Sequence, residues 1–463
     1  MLSKLMPAVT AAAGGVVLAL WLATSPVAHI DARVPGKDRA PGTASVETVP
    51  AKLTGTLTPS TGTPADLPGT WPRFRGPRFD NVSHDPTPLA RSWPEGGPPK
   101  LWSIDVGEGH AGAAVLGGRV YVLDYDRAKK ADALRCLSLA DGKEIWRFAY
   151  PVKVKRNHGM SRTVPAATDQ HVVALGPKCH VTCLDAKSGK MRWMLDLVRE
   201  FGATVPPWYA GQCPLIDGDR VILAPGGPDA LLVAVDVATG KPVWTTPNPD
   251  GWKMTHTSVM PMMLDGQRTL VYVASGGVVG VAADDGRVLW KTPDWRIRIA
   301  ACPSPVPVGG GRLFLTGGYN AGSAMFQIEK GETALVAREV FRLKAKVLDS
   351  PQHSPILYQG HLYAVRADGQ LACMALDGTV KWTSGQKERF GLGPYLIANG
   401  LVFVMDDKAV LTLAEATPIG YKKLAQAKIL DGAHDAWGPM ALAAGRLIVR
   451  DLTRMVCLDV GAK

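Results

Sequence analysis

Ten histidines and seven cysteines are the side chains of this sequence best suited to metal, redox or acid–base chemistry. Their densest grouping is Cys179, His180 and Cys183, inside "CHVTCLDAKSGKMRW". A metal site, a redox thiol pair and a plain strand all fit that spacing at first sight. Strand geometry separates them. Residues four apart on a strand share a face at about 13 Å, whereas a disulfide wants Cβ atoms about 3.8 Å apart. His180 points to the opposite face, so the three cannot ligate one ion. No Ser-His-Asp arrangement, phosphate loop or zinc-protease motif stands out. The remaining candidates are scattered histidines, and their positions make sense only within a repeat.

One pattern recurs eight times: a short apolar run, a polar or Gly turn, then alternating apolar residues, as in "PLIDGDRVILAP". Copies start at 113, 165, 214, 261, 305, 355, 394 and 439, and all but the first begin with Pro. Pro is acceptable at the first residue of a strand, and the β-branched run after each turn reads as a second strand. A second pattern follows in register: "CLSLADGKEIW", "CLDAKSGKMRW", "AVDVATGKPVW", "GVAADDGRVLW" and the shorter "CMALDGTVKW". In each, Trp falls four residues after a turn glycine: Gly142 and Trp146, Gly189 and Trp193, Gly240 and Trp244, Gly286 and Trp290, Gly378 and Trp382. The glycines supply the positive φ of a tight hairpin. Cys136, Cys183, Cys373 and Cys457 occupy one repeat slot, as small buried fillers.

Four short antiparallel strands per unit of about 45 residues is the signature of a β-propeller. Copies five and seven of the second pattern are degenerate, and the eighth stops at "VCLDV". Its missing strand is supplied by "KLWSIDV", with Trp102, near the start of the repeats. The expectation is an all-β, eight-bladed propeller of four-stranded antiparallel blades, closed by pairing of its N- and C-terminal strands. It covers 71–463. Ahead of it, residues 1–30 read as a signal or membrane-anchor segment, since no charge falls between Lys4 and Asp31. Residues 31–70, rich in Pro, Thr and Gly, read as a flexible tether.

"AVDVATGKPVW" matches the A-x-D-x-x-T-G-K-x-x-W docking motif of quinoprotein-type propellers. The chain resembles the pyrroloquinoline-quinone-like (PQQ-like) propeller family over about residues 71–463, and "WPRFRGPRFDNVS" looks like the lead-in of many bacterial members. The resemblance implies that the repeat tryptophans dock one blade on the next. It also implies either of two functions: a PQQ- and calcium-dependent dehydrogenase, or a non-enzymatic scaffold of the BamB outer-membrane assembly type. No adjacent cysteines and no C-x-x-C-H occur, and about 390 residues leave little room for active-site insertions. No lipobox cysteine occurs either, which departs from the BamB type.

In a propeller, loops leading into the innermost strands open at the channel mouth. Here they hold His110, His158, His256, His353 and His434, from five blades. Arg162, Trp208, Tyr209, Gln212, Arg298 and Trp437 lie in the same loops. Converging there, they bind an anionic or planar ligand or a partner; otherwise they are polar loop residues serving their own turns. No metal ligand set is assigned, although imidazole suits zinc or copper. The charge of +11 favours anionic neighbours, without a nucleic-acid motif. The reading is an exported, monomeric, non-catalytic propeller on the periplasmic side of the inner membrane, tethered by its N-terminus. It binds a protein or an anionic envelope polymer, and no cofactor is expected. The alternative is a PQQ- or metal-dependent oxidoreductase with its site on the central axis.

Overall fold

A computed structural model describes residues 6–24, 53–332 and 334–462. Contacts divide the chain into two units, residues 1–52 and 53–463. In the first, Met6–Thr24 forms a helix. Among the described residues no helix is long and apolar enough to cross a membrane. The rest of that segment and residues 31–52 of the tether lie outside the described residues.

Five hairpin turns of the second unit close where the sequence places a glycine. Gly142, Gly189, Gly240, Gly286 and Gly378 all have φ between 71° and 90°, a region that costs glycine nothing. The strands of this unit build eight sheets whose blade strands are antiparallel. Blades 1 to 7 span 113–151, 166–196, 215–246, 260–292, 306–343, 356–383 and 395–428. Blade 8 takes three strands from 441–459 and its outer strand, Lys100–Asp105, from the other end of the propeller sequence.

The small slot has a geometric cause. Across the sheet, Cys136 pairs with Trp146, Cys183 with Trp193, Ala234 with Trp244 and Gly280 with Trp290. Cys373 pairs with Trp382 and Cys457 with Trp102. A Cβ on Gly280 would stand 2.2 Å from Trp290 Nε1, so the indole leaves room for little opposite it. The indole instead lies over the turn of the following blade. Trp102, Trp146, Trp193 and Trp244 lie against Gly142, Gly189, Gly240 and Gly286. Their Nε1 groups donate to the carbonyls of Leu139, Lys187, Val237 and Ala283, at 2.8 to 3.2 Å. Trp382 reaches Thr417 O of blade 7 at 2.8 Å. Trp290 faces degenerate blade 5, and among the described residues its buried Nε1 finds no partner.

Trp193→Ala is expected to cost about 3–5 kcal/mol, because it empties a buried seam. Trp193→Phe, which removes chiefly the hydrogen bond, is expected to cost about 1 kcal/mol. Denaturant midpoints of the two variants check the ordering.

All seven cysteines are free. Cys179 sits in a left-handed turn (φ 68°) just before the strand His180–Asp185, one position short of the expected strand. It still faces the same core as Cys183, between blades 2 and 3, while His180 turns to Tyr150 of blade 1.

Residues 53–70, expected within the flexible tether, are bound to the propeller. Thr56–Pro59 pairs with the outer strand of blade 1, extending it to five strands. The alternation "TLTP" puts Leu57 against that blade's core, a pattern too short to register by composition. The segment that follows crosses the central channel. Trp71 exchanges two 2.8 Å backbone bonds with Val115 of blade 1, and Pro72 accepts from Ala167 of blade 2. Arg73 donates to Ile216 O of blade 3, and Arg75 to Ser354 O and Pro355 O at the start of blade 6. Val82–Ser83 then runs parallel to the innermost strand of blade 7. The channel is therefore spanned from wall to wall.

Candidate functional site

Above this crossing segment lies a cavity of about 350 Å³. Its wall carries His110, His158, His256 and His353, with Arg162, Trp208 and Trp437. Seven of the residues singled out from sequence thus meet, despite their irregular spacing from the following prolines. Four do not line it. His434 is exposed beside Asp435, and Arg298 is exposed. Gln212 is buried, and its amide bonds both N–H and C=O of Ala224 within blade 3. Tyr209 is buried behind Trp208, with its hydroxyl on Lys155 O.

Sequence reasoning missed other wall residues: Phe74, Cys213, Cys302, Tyr319 and Gln352. Phe74 comes from the lead-in segment, whose alternating Trp, Arg and Phe were the available signal. Tyr319 comes from a hairpin within blade 5, and nothing in its local sequence marks it.

The imidazoles are held by stacking. His110 lies on Trp437, with centroids 5.0 Å apart and planes at 27°. Trp437 is itself fixed by a 2.7 Å bond from Nε1 to Asp407. His256 leans on Trp208 and His353 on Tyr395, at 6.3 and 6.0 Å. Burial lowers His110 to about 3, aided by the charges of Arg162 and Arg450. Burial likewise lowers His256 to about 4, with Arg162 adding to it. His353 falls to about 4 by burial, against the opposing carbonyls of Leu392 and Trp437. All three are neutral at pH 7, so each offers one donor and one acceptor.

Those groups are not used up by the protein. His110 Nε2 is 3.1 Å from His158 O, which puts the proton there and leaves Nδ1 an acceptor. That Nδ1, His256 Nε2 and His353 Nε2 are buried and without partners among the described residues. Arg162 is held by the carbonyls of Trp208 and Asn157, while among the described residues its Nη1 makes no hydrogen bond. Among the described residues no carboxylate lines the cavity. Several wall loops are strained as well: His158, Tyr209, Tyr319 and Asp435 have φ of 51°, 68°, 59° and 53°. Such bulky left-handed residues gather where a loop must aim a side chain.

This arrangement suits binding of a negatively charged group by the Arg162 guanidinium, while His110 Nδ1, as an acceptor, takes a donor from the same ligand. It does not suit a metal. Among the described residues no group of three or more His, Cys, Asp or Glu stands close enough to hold an ion. Calcium needs several oxygen ligands, and the quinone–calcium pair implied by the enzymatic branch finds no carboxylate here. The thiols of Cys213 and Cys302 are pushed up to about 11 by burial, so they stay protonated.

The fold and wall together define an eight-bladed propeller with an acid-free axial cavity. The family profile described as outer membrane protein assembly factor BamB matches residues 130–384, more than half the chain, and the chain belongs to that PQQ-repeat family. The BamB of Moranella endobia is 22% identical over 325 residues, covering 67% of each chain. Quinoprotein alcohol dehydrogenase PedH of Pseudomonas putida is 26% identical over 180 residues, 36% of this chain and 28% of that one. The chain thus spans less than a third of the curated dehydrogenases it matches. Among solved structures, BamB from Moraxella catarrhalis superposes with a TM-score of 0.54 at 14% identity, covering 78% of this chain and 99% of that one.

Proposed function

We propose that this chain is a non-catalytic, exported propeller that binds a protein partner through the loops around its axial cavity. The observation that carries this reading is the wall chemistry: a guanidinium without a carboxylate beside it, and three neutral imidazoles with buried unused nitrogens. These groups bind; His110, His256 and His353 are shifted away from the neutral range that general acid–base work near pH 7 needs. Family membership supports the same reading, because BamB is described as an assembly factor. The N-terminal segment serves to direct the chain to the envelope, where the protein acts as a monomer.

The likeness to PedH keeps one competing reading, a quinone-dependent dehydrogenase. Purified protein titrated with PQQ and calcium separates the two. Stoichiometric uptake with dye-linked alcohol oxidation overturns the binding reading. The positive test is crosslinking in native envelopes. His256→Ala with His353→Ala is expected to lower crosslinked partner at least about tenfold, the loss of one or two hydrogen bonds. An unchanged crosslinking pattern would count against the mouth as the binding surface.

A further inference from the structure

The cavity and its lip ask for different things, and one occupant satisfies both. Two loops, 152–165 and 197–214, are stitched together at the lip. Asn157 Nδ2 donates to Pro207 O at 2.9 Å, Tyr209 donates to Lys155 O, and Arg162 joins Trp208 O to Asn157 O. Lys178 Nζ lies 5.1 Å over the Tyr209 ring. Lys153 and Lys155 are exposed on the same stitched lip. None of these three lysines pairs with a carboxylate among the described residues, whereas Arg156 is taken by Glu108 at 2.6 Å. Positive potential therefore continues from Arg162 outward, past the mouth.

A small free acid would meet Arg162 and the imidazoles but leave the lip unused. An anionic polymer lying side-on would meet the lip, yet it has no end to lower into a cavity whose floor is the crossing segment and Phe74. At about 350 Å³ the space is near the lower limit for ligand pockets. A chain end would fit both: its carboxylate would meet Arg162 and its last side chain the apolar wall to which Trp208 and Trp437 contribute. Acidic residues behind it then run over the lysines. Resting on the partner-binding reading above, we propose that the cavity captures the free carboxyl terminus of a partner polypeptide, with an apolar last residue and acidic residues upstream. Capture of a terminal carboxylate in a backbone nest is a known recognition mode. Here the Arg162 guanidinium takes the place of the nest, and the lip supplies charge complementarity that speeds encounter.

The test uses the whole protein and a labelled pentapeptide, Glu-Glu-Glu-Gly-Phe, followed by fluorescence polarisation. The free acid is expected to bind at least about tenfold tighter than its C-terminal amide, one charge-assisted hydrogen bond or more. Arg162→Met is expected to erase that preference and also to lower the melting temperature, because the carbonyls of Trp208 and Asn157 lose their donor. Circular dichroism at the assay temperature checks that the variant is folded. Arg162→Lys, which keeps a charge, is expected to restore part of the preference. Lys153→Gln with Lys155→Gln and Lys178→Gln is expected to weaken the acid several-fold and flatten its salt dependence, while keeping the preference over the amide. Equal binding of acid and amide overturns the inference. So does 3-phenylpropionate binding as tightly as the peptide, which would make the cavity a small-acid site. If neither peptide binds while envelope crosslinking still depends on His256 and His353, the terminus falls and the partner-binding reading stands.

Discussion

Arg75→Met is expected to lower the stability of the propeller by about 3 kcal/mol, although among the described residues Arg75 touches no carboxylate. Its guanidinium is buried and donates only to backbone carbonyls: Phe79 O at 2.8 Å, Pro355 O at 2.9 Å, Ser354 O at 3.2 Å and Asp80 O at 3.4 Å. Burial lowers its pKa to about 10, so it remains charged at neutral pH. Methionine fills the volume and relieves the desolvated charge, but it offers no donor. Ser354 O keeps a 3.1 Å bond from the Tyr395 hydroxyl; Pro355 O has no such substitute among the described side-chain donors. The lost charge-assisted bonds outweigh the relief because the carbonyls stay buried. Thermal melting and limited proteolysis of residues 71–85 check it. A variant as stable as the parent, with the segment still protected, would show that the crossing is held by Trp71 and the backbone alone.

Acidification from pH 6.5 to about 4 is expected to destabilise the protein by up to about 3 kcal/mol per pH unit. The folded chain keeps His110, His256 and His353 neutral down to about 3 or 4. The unfolded chain protonates them near 6.5. In that window the unfolded state binds more protons, so stability falls with falling pH. Asp132 acts in the opposite sense. Burial raises it to about 7, so the folded state holds a proton there that the unfolded state releases, offsetting about one of the three histidines. Burial also lowers His180 and His171, which add to the histidine side. His256→Gln with His353→Gln is expected to remove most of the slope. Melting curves from pH 7 to 4 on parent and double variant read it directly, and identical slopes would place the acid sensitivity elsewhere.

The blades were legible in the sequence because each is local. Gly189 and Trp193 lie on one hairpin, and turn chemistry with strand alternation fixes that hairpin without help from the rest of the fold. The docking of Trp102 on Gly142 is not local in this way: the repeat places both residues in register, and only the resemblance implies that a repeat tryptophan packs on the next blade. The cavity was half legible. His256 and Trp208 could be named from their loops, but Gln212 and His434 look alike in sequence and only packing separates them. The neighbour that captures Gln212 is Ala224, across a strand pair. Phe74 and Arg75 were hidden differently: their segment has no periodicity, and its role depends on contacts with blades hundreds of residues later. The repeat slot of Cys183 was correct, yet its sterics became clear only when Trp193 was seen directly opposite.

The outer strand of blade 8 has a kinetic consequence. Lys100–Asp105 is synthesised before the seven complete blades, and Arg454–Asp459, its partner, after them. Until that pairing forms, blade 1 lacks the Trp102 indole over Gly142, and the three-stranded remnant of blade 8 exposes an open edge. Pairings this distant in sequence form slowly, because loop-closure entropy is spent before the contact rewards it. The growing chain therefore passes through an arc of finished blades with a sticky end at each side, a state prone to join another copy edge to edge. Refolding yield should then fall with protein concentration far more steeply than the stability of the closed ring would suggest.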